Sequence, residues 1–261
     1  MNVWAVANQK GGVGKTTTTV TLAGLLAGRG YRTLVLDTDP HGSLTSYFRY
    51  SPDELQTSLY TLFENTAVDP LTLVRPTRFD HLHIMPAAMA LATLDRQSGT
   101  QSGMGLVLKR ALGRLSAHYD YALIDCPPML GVLMVNALAC CNRLIVPVQT
   151  EFLALKGLER MVRTLGMITK SRAAPLSHLI VPTLFDRRTR ASTDALRMLR
   201  ATYEERVWRW VIPVDTQFRE ASKAGIPLSY IAPSARGVAA YQRLLADLCG
   251  TSHGDRKVVG L

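Results

Sequence analysis

A doubly wound α/β domain, with a mainly parallel sheet and helices on both faces, is the fold class that these 261 residues predict. Three observations carry that prediction. Short apolar runs recur along the chain and alternate with longer stretches in helical register, the order that builds parallel sheets. Several runs end on a cluster of turn residues or on an acid, as at Asn8 to Gly14, Thr38 to Ser43 and Asp125 to Pro128; in doubly wound sheets that end binds ligands. A hydrophobic content of 47% beside 19% charged residues is that of a globular chain with one large core.

The elements follow in order. Val3 to Ala7 is an apolar strand that runs into a glycine-rich turn, and a helix starts near Gly14. From Thr17 to Gly30 the apolar positions Val20, Leu22, Ala23, Leu25, Leu26 and Ala27 face a sheet, and Gly28 and Gly30 stop the helix. Arg32 to Asp37 is a short run with the character of a buried parallel strand. Residues 44–80 carry a weaker pattern: Leu59 to Phe63 starts a short helix, and Pro70 and Pro76 bound loops. His81 to Pro86 is the next strand, 95–103 a polar, glycine- and serine-rich loop, and Leu106 to Leu115 an amphipathic helix.

Tyr119 to Asp125 is a strand that closes on an acid and leads through Cys126, Pro127 and Pro128 into a helix over 131–141. Arg143 to Val148 and Leu179 to Phe185 are strands around a helix from Ala154 to Lys170. Arg190 to Glu205 is a helix with a basic start, Val207 to Ile212 a strand before Pro213, and Phe218 to Ala224 a helix closed by Gly225. Ala235 to Leu248 is the last helix, and 250–261 reads as a frayed tail. No repeat is visible.

The chemistry concentrates in the first glycine turn. A strand, a glycine turn and a helix in succession leave unpaired N–H groups pointing at one spot, where the helix dipole also favours an anion. Gly11, Gly12 and Gly14 let the backbone approach it closely. Lys15 in the first helical turn grips the β- and γ-phosphates of a nucleotide, Thr16 places its hydroxyl on Mg²⁺, and Thr17 with the loop amides, Val13 included, holds the α- and β-phosphates. Asp125, at the end of its strand, suits a Mg²⁺ held through water. Of Asp37 and Asp39, one can orient an attacking water or a metal-bound water.

The spacing departs from the usual phosphate loop: Gln9 stands at the first glycine position, and a second lysine, Lys10, precedes the glycine pair. KGGVGKTT resembles the deviant phosphate loop of the ParA/MinD family of ATPases, and DTDPHGS resembles that family's first switch, with His41 where the family usually has glutamine. PVQTEFLALKGLERM, VPTLFDRRTRAS, IPVDTQFREASKAGIP and SARGVAAYQRL resemble further family segments, so the likeness spans nearly the whole chain. It implies a phosphate-loop NTPase fold, one ATPase domain over 1–249, and ATP with Mg²⁺ as cofactors.

It also implies that Asp39 serves hydrolysis and touches the metal with Thr16 and Asp125, and that Lys10 crosses a homodimer interface to the partner's nucleotide. A trans lysine there neutralises charge on the transferred phosphoryl group, as an arginine finger does. Thr183 and Pro213 are expected on the adenine side. The implied activity is slow ATP hydrolysis, stimulated by a ParB-like or polar-landmark protein, in a switch that segregates DNA or positions a large assembly such as a chemotaxis or flagellar one. A metabolic enzyme of the same fold (dethiobiotin synthetase-like or nitrogenase-reductase-like) and a nucleotide-dependent scaffold are the alternatives.

Composition bounds the partners. The net charge of +10 suits an anionic partner as well as mere solubility. Arg187, Arg188, Arg190, Arg197 and Arg200, with Arg219, Lys223, Arg236 and Arg243 further on, form a basic set for non-specific DNA. Gln217 stands where partition relatives often have arginine. No run reaches the roughly 18–20 apolar residues of a membrane span, and the tail lacks the apolar surface of an amphipathic anchor. Cys126, Cys140, Cys141 and Cys249 show no metal spacing, which fits a reducing cytoplasm, with the nucleoid or a cell pole as the working place.

Overall fold

The computed structural model describes residues 1–94, 104–168 and 176–250. Seven strands form one sheet: β1 (Asn2–Val6), β2 (Thr33–Asp37), β3 (Arg75–Pro76), β4 (Leu82–Met85), β5 (Tyr121–Asp125), β6 (Arg143–Gln149) and β7 (Ser177–Thr183). Their spatial order is β3-β4-β2-β5-β1-β6-β7. Every pairing is parallel except β3 on β4 at the edge. The short apolar runs become strands because both faces are covered. Along β1, Val3 and Ala5 enter one core, and Trp4 and Val6 enter the other.

Helices fill both layers. On the Trp4 side lie α1 (Lys15–Ala27), α2 (Ser43–Tyr47), α8 (Gln217–Ala224), α9 (Leu228–Ile231) and α10 (Arg236–Gly250). On the Val3 side lie α3 (Thr61–Glu64), α4 (Val107–Leu115), α5 (Val132–Cys140), α6 (Phe152–Ile168) and α7 (Arg190–Tyr203). The opening helix α1 runs through the core, with Leu22, Ala23 and Leu26 fully buried. Its layer allows no extra bulk: a Cβ on Gly24 would lie 2.7 Å from the Pro227 ring. A short 3-10 turn at 70–73 falls in the 44–80 stretch where the sequence pattern was weakest, and two more follow at 89–93 and 104–106.

One expected strand is absent. Val207 to Ile212 forms no strand; it is a loop along the edge of β7, joined to the sheet by single bridges at Val207 and Pro213. The alternation V-W-R-W reads as a strand, but Trp208 turns in to give its indole N–H to Asp247 at 2.9 Å, and Trp210 stays exposed. The loop at 95–103 and the tail beyond Gly250 lie outside the described residues, as does the expected end of the helix at 169–170; Gly250 itself closes α10.

Candidate nucleotide site

The carboxyl ends of β1, β2 and β5 converge on the loop between β1 and α1. Gly12 (φ 74°) and Gly14 (φ 89°) take left-handed backbone that side chains rarely adopt, which turns the chain sharply into the helix. A Cβ built on Gly11, Gly12 or Gly14 would meet no protein atom within 4 Å. The loop thus encloses space that no part of this chain fills, and α1 opens with no side-chain cap on its free N–H groups. Both features suit a phosphate.

The side chains around that space are tied together. Lys15 is buried and gives its ammonium to the Lys10 carbonyl at 3.2 Å, which bends it back over the loop. The Thr16 hydroxyl donates to Asp125 Oδ2 at 2.7 Å, and Thr19 donates to Asp125 Oδ1 at 3.3 Å. Asp37 and Asp125 face each other across the β2–β5 register. Asp37 accepts the Thr45 N–H and hydroxyl at 2.8 and 2.7 Å and the Asp39 N–H at 3.1 Å. It therefore shapes the turn, is fully buried and does not line the cavity, whereas half-buried Asp39 does.

The charge balance of this cluster is unfinished. Burial first, then the Asp37 carboxylate, pushes Asp125 up to about 8, while the Thr16 hydroxyl and Lys15 pull it down. Burial raises Asp37 to about 6 against its hydrogen bonds. Burial lowers the Lys15 ammonium, opposed by Asp125 and then Asp39. Two buried carboxylates and a third beside them, with one buried lysine, call for a further cation. The Thr16 hydroxyl and Asp125 are hard oxygen donors of the kind Mg²⁺ takes.

A cavity of about 740 Å³ extends from the loop, lined by Thr16, Thr17, Asp39, His41, Pro213 and Asp215 among others. Pro213, expected on the adenine side, is part of that lining. Thr183 lines the cavity too, but its hydroxyl is spent on the Val13 carbonyl at 2.8 Å, which anchors the loop to β7. Arg219, expected on a DNA face, lines this cavity. Arg188 is clasped by Asp186 at 2.9 and 2.8 Å, and Arg190 pairs with Asp194 at 3.5 Å. Arg187 and Lys223 have no ion pair among the described residues.

Sequence reading missed Glu151. It opens the turn before α6 and pairs with the Lys10 ammonium, so the leading lysine is held within its own chain. Its signal lay in the segment PVQTEFLALKG, whose acid carries no local pattern of its own. Cys126 is fully buried, and burial pushes its thiol well above the ordinary value.

Known proteins resemble this chain over most of its length. A family model for the AAA domain matches residues 1–177. The chain is 33% identical over 245 residues to the sporulation initiation inhibitor protein Soj of Bacillus subtilis, covering 94% of this chain and 96% of that one. It is 36% identical to the chromosome-partitioning ATPase Soj of Thermus thermophilus, with 94% of each covered. A structure of cobyrinic acid a,c-diamide synthase from Mycobacterium smegmatis with bound ATP analogue and magnesium matches at 33% identity and a TM-score of 0.84, over 98% of both chains. A plasmid partition protein from Borrelia burgdorferi shares the fold at 22% identity and a TM-score of 0.77, over 96% of this chain and 98% of that one. With a phosphate loop led by Lys10, a Thr16–Asp125 pair beneath it and relatives matched from end to end, the chain belongs to the ParA/Soj family of phosphate-loop ATPases.

Proposed function

We propose that this chain is an ATP-driven switch that pairs with a second copy of itself when it holds ATP, and that segregates DNA or positions a large assembly. ATP and Mg²⁺ are its cofactors, which the open glycine loop and the cation-deficient carboxylates accommodate. Mg²⁺ supplies charge neutralisation and orientation for the phosphates when bound. Lys15 and the loop amides hold the triphosphate, Thr16 and Asp125 hold the metal, and Asp39, facing the cavity, orients water for slow hydrolysis that a ParB-like or polar-landmark protein stimulates. Pro213 stands beside the base.

The observation that carries the reading is Lys10. It lies one residue ahead of the open loop, at the surface, with Glu151 as its partner. Held by Glu151 beside the loop and partly exposed, that ammonium is available to a neighbour's nucleotide. Release from Glu151 and transfer to a second subunit's phosphates makes dimerisation depend on the triphosphate. Arg187, Arg188, Arg190, Arg219 and Lys223 supply charge toward non-specific DNA, and the protein acts in the cytoplasm, on the nucleoid or at a pole. No described helix is long and apolar enough to cross a membrane.

The synthase name among the similar structures raises a second reading, an enzyme that spends ATP on an acceptor. ATP turnover without any acceptor separates the two. We expect phosphate release from Mg-ATP alone, lost in Asp39→Ala, with Asp39→Ala accumulating as an ATP-bound dimer in sedimentation. Turnover that waits for an acceptor, or that survives Asp39→Ala, would overturn the proposal.

A further inference from the structure

The chain contains three tryptophans. Trp4 and Trp208 are 2% and 3% exposed, whereas Trp210 is 45% exposed. Trp210 lies on the loop along β7, and two guanidiniums stack on its ring: Arg209 at 5.7 Å and Arg243 at 5.0 Å from the centroid. Arg200, from the end of α7, reaches in to the Arg209 carbonyl at 2.7 Å. The anchoring of this loop falls to its neighbour Trp208, buried and bonded to Asp247. Trp210 is therefore free to meet a ligand.

The cluster continues a basic track. Next to Trp210 in the chain, Val211 lines a cleft of about 820 Å³ together with Arg187, Arg188 and Arg236. Arg236 and Arg243 lie two turns apart on one face of α10, about 10 Å along its axis. Basic side chains thus run from the 187–188 turn, past Arg236, to Arg209 and Arg243. Three acids, Asp186, Asp215 and Asp247, lie along the way against five arginines. Asp186 holds Arg188, Asp215 accepts the N–H groups of Gln217 and Gly237, and Asp247 takes Trp208 and Arg209. A strip this long with an aromatic plate in it fits an extended polyanion whose charges recur every few ångströms and alternate with apolar sugar.

We propose that Trp210, beside Arg209 and Arg243, is a contact for duplex DNA, with the guanidiniums on phosphates and the indole against the intervening deoxyribose. This rests on the DNA reading given above and adds Trp210, which does not line the nucleotide cavity.

Because the other tryptophans are buried, acrylamide quenching of the emission selects Trp210. The test titrates the full chain in Mg-ATP with a labelled duplex of arbitrary sequence, reading anisotropy and acrylamide quenching together. Duplex should shield the emission with the same midpoint as the anisotropy rise, and Trp210→Phe should remove that response. Trp210→Ala should weaken binding roughly three- to tenfold, the size of one cation–π-scale contact. Arg243→Glu should weaken it and lower the salt slope by about one or more. Thermal melts of Trp210→Phe, which keeps a ring under the arginines, check that the fold is intact.

Tight duplex binding with unchanged acrylamide access and wild-type affinity in Trp210→Ala would overturn this site and leave the DNA reading standing. No binding of duplex in any nucleotide state would overturn both. Equal shielding by polyglutamate, which has charge but no sugar, would place an acidic protein on the strip and overturn the proposal.

Discussion

Lys10 and Asp37 show how little a side chain's role follows from its type. Lys10 is partly exposed and paired with Glu151, and such a pair contributes little to stability. Its value lies in where the ammonium can go next. Lys10→Ala should keep nucleotide affinity within about twofold and abolish ATP-dependent dimers in sedimentation; dimers of that variant would sink the cross-subunit role. Asp37 does the opposite work. Fully buried, it accepts two N–H groups and a hydroxyl from the first-switch turn. Asp37→Ala leaves those donors without partners and should cost about 3 kcal/mol in urea unfolding, relief of its repulsion with Asp125 offsetting part. Asp37→Asn, which keeps an acceptor, should cost less. Both acids stand in one motif, and sequence alone could not divide their labour. Resemblance selected Asp39, and the hydrogen bonds explain why Asp37 is unavailable. Glu151 was illegible because its partner lies far off in the chain and nothing local marks it.

At the level of elements, what could be read was whatever local periodicity and glycine chemistry dictate. The parallel strands and the long helices came through because their apolar runs are buried on both faces or on one clear stripe. The edge loop after α7 did not: V-W-R-W alternates like a strand, but neighbouring Val207 and Trp208 are both buried, Trp208 bonds Asp247 and Arg200 takes the Arg209 carbonyl. The short elements within 44–80 are held by tertiary hydrogen bonds such as Leu59 N–H to the Pro86 carbonyl at 2.8 Å, which no window of sequence contains. The glycine loop allows a paired prediction. Gly14 sits at φ 89° and Gly11 does not take positive φ, yet the space at both Cβ positions is open. Gly14→Ala should lose about 1–2 kcal/mol in thermal or urea unfolding and also lose ATP binding. Gly11→Ala should unfold like the parent and still bind ATP more weakly in calorimetry, since its methyl enters the space assigned to phosphate. Equal ATP affinity in Gly11→Ala would mean that the phosphates lie elsewhere.

For the whole molecule the relevant quantity is charge per assembled particle. The chain carries +10, much of it in arginines on the β7 side of the sheet. A monomer on duplex DNA neutralises Z phosphates and gives a salt slope of about −0.9Z. If triphosphate binding joins two copies whose Arg187 turns and α10 helices meet the same duplex, Z doubles while each local contact stays as it was. The slope of log affinity against log salt should then be about twice as steep in Mg-ATP as in Mg-ADP. Lys10→Ala should hold the shallow slope in both nucleotides. The steep slope is a property of the pair, so raising protein concentration with ADP cannot imitate it unless that raises dimers too. Equal slopes with ATP and ADP, measured for the parent chain over the same salt range, would separate nucleotide binding from DNA binding. The ATPase would then be a switch with no electrostatic output, and the track of arginines beside β7 would need another purpose.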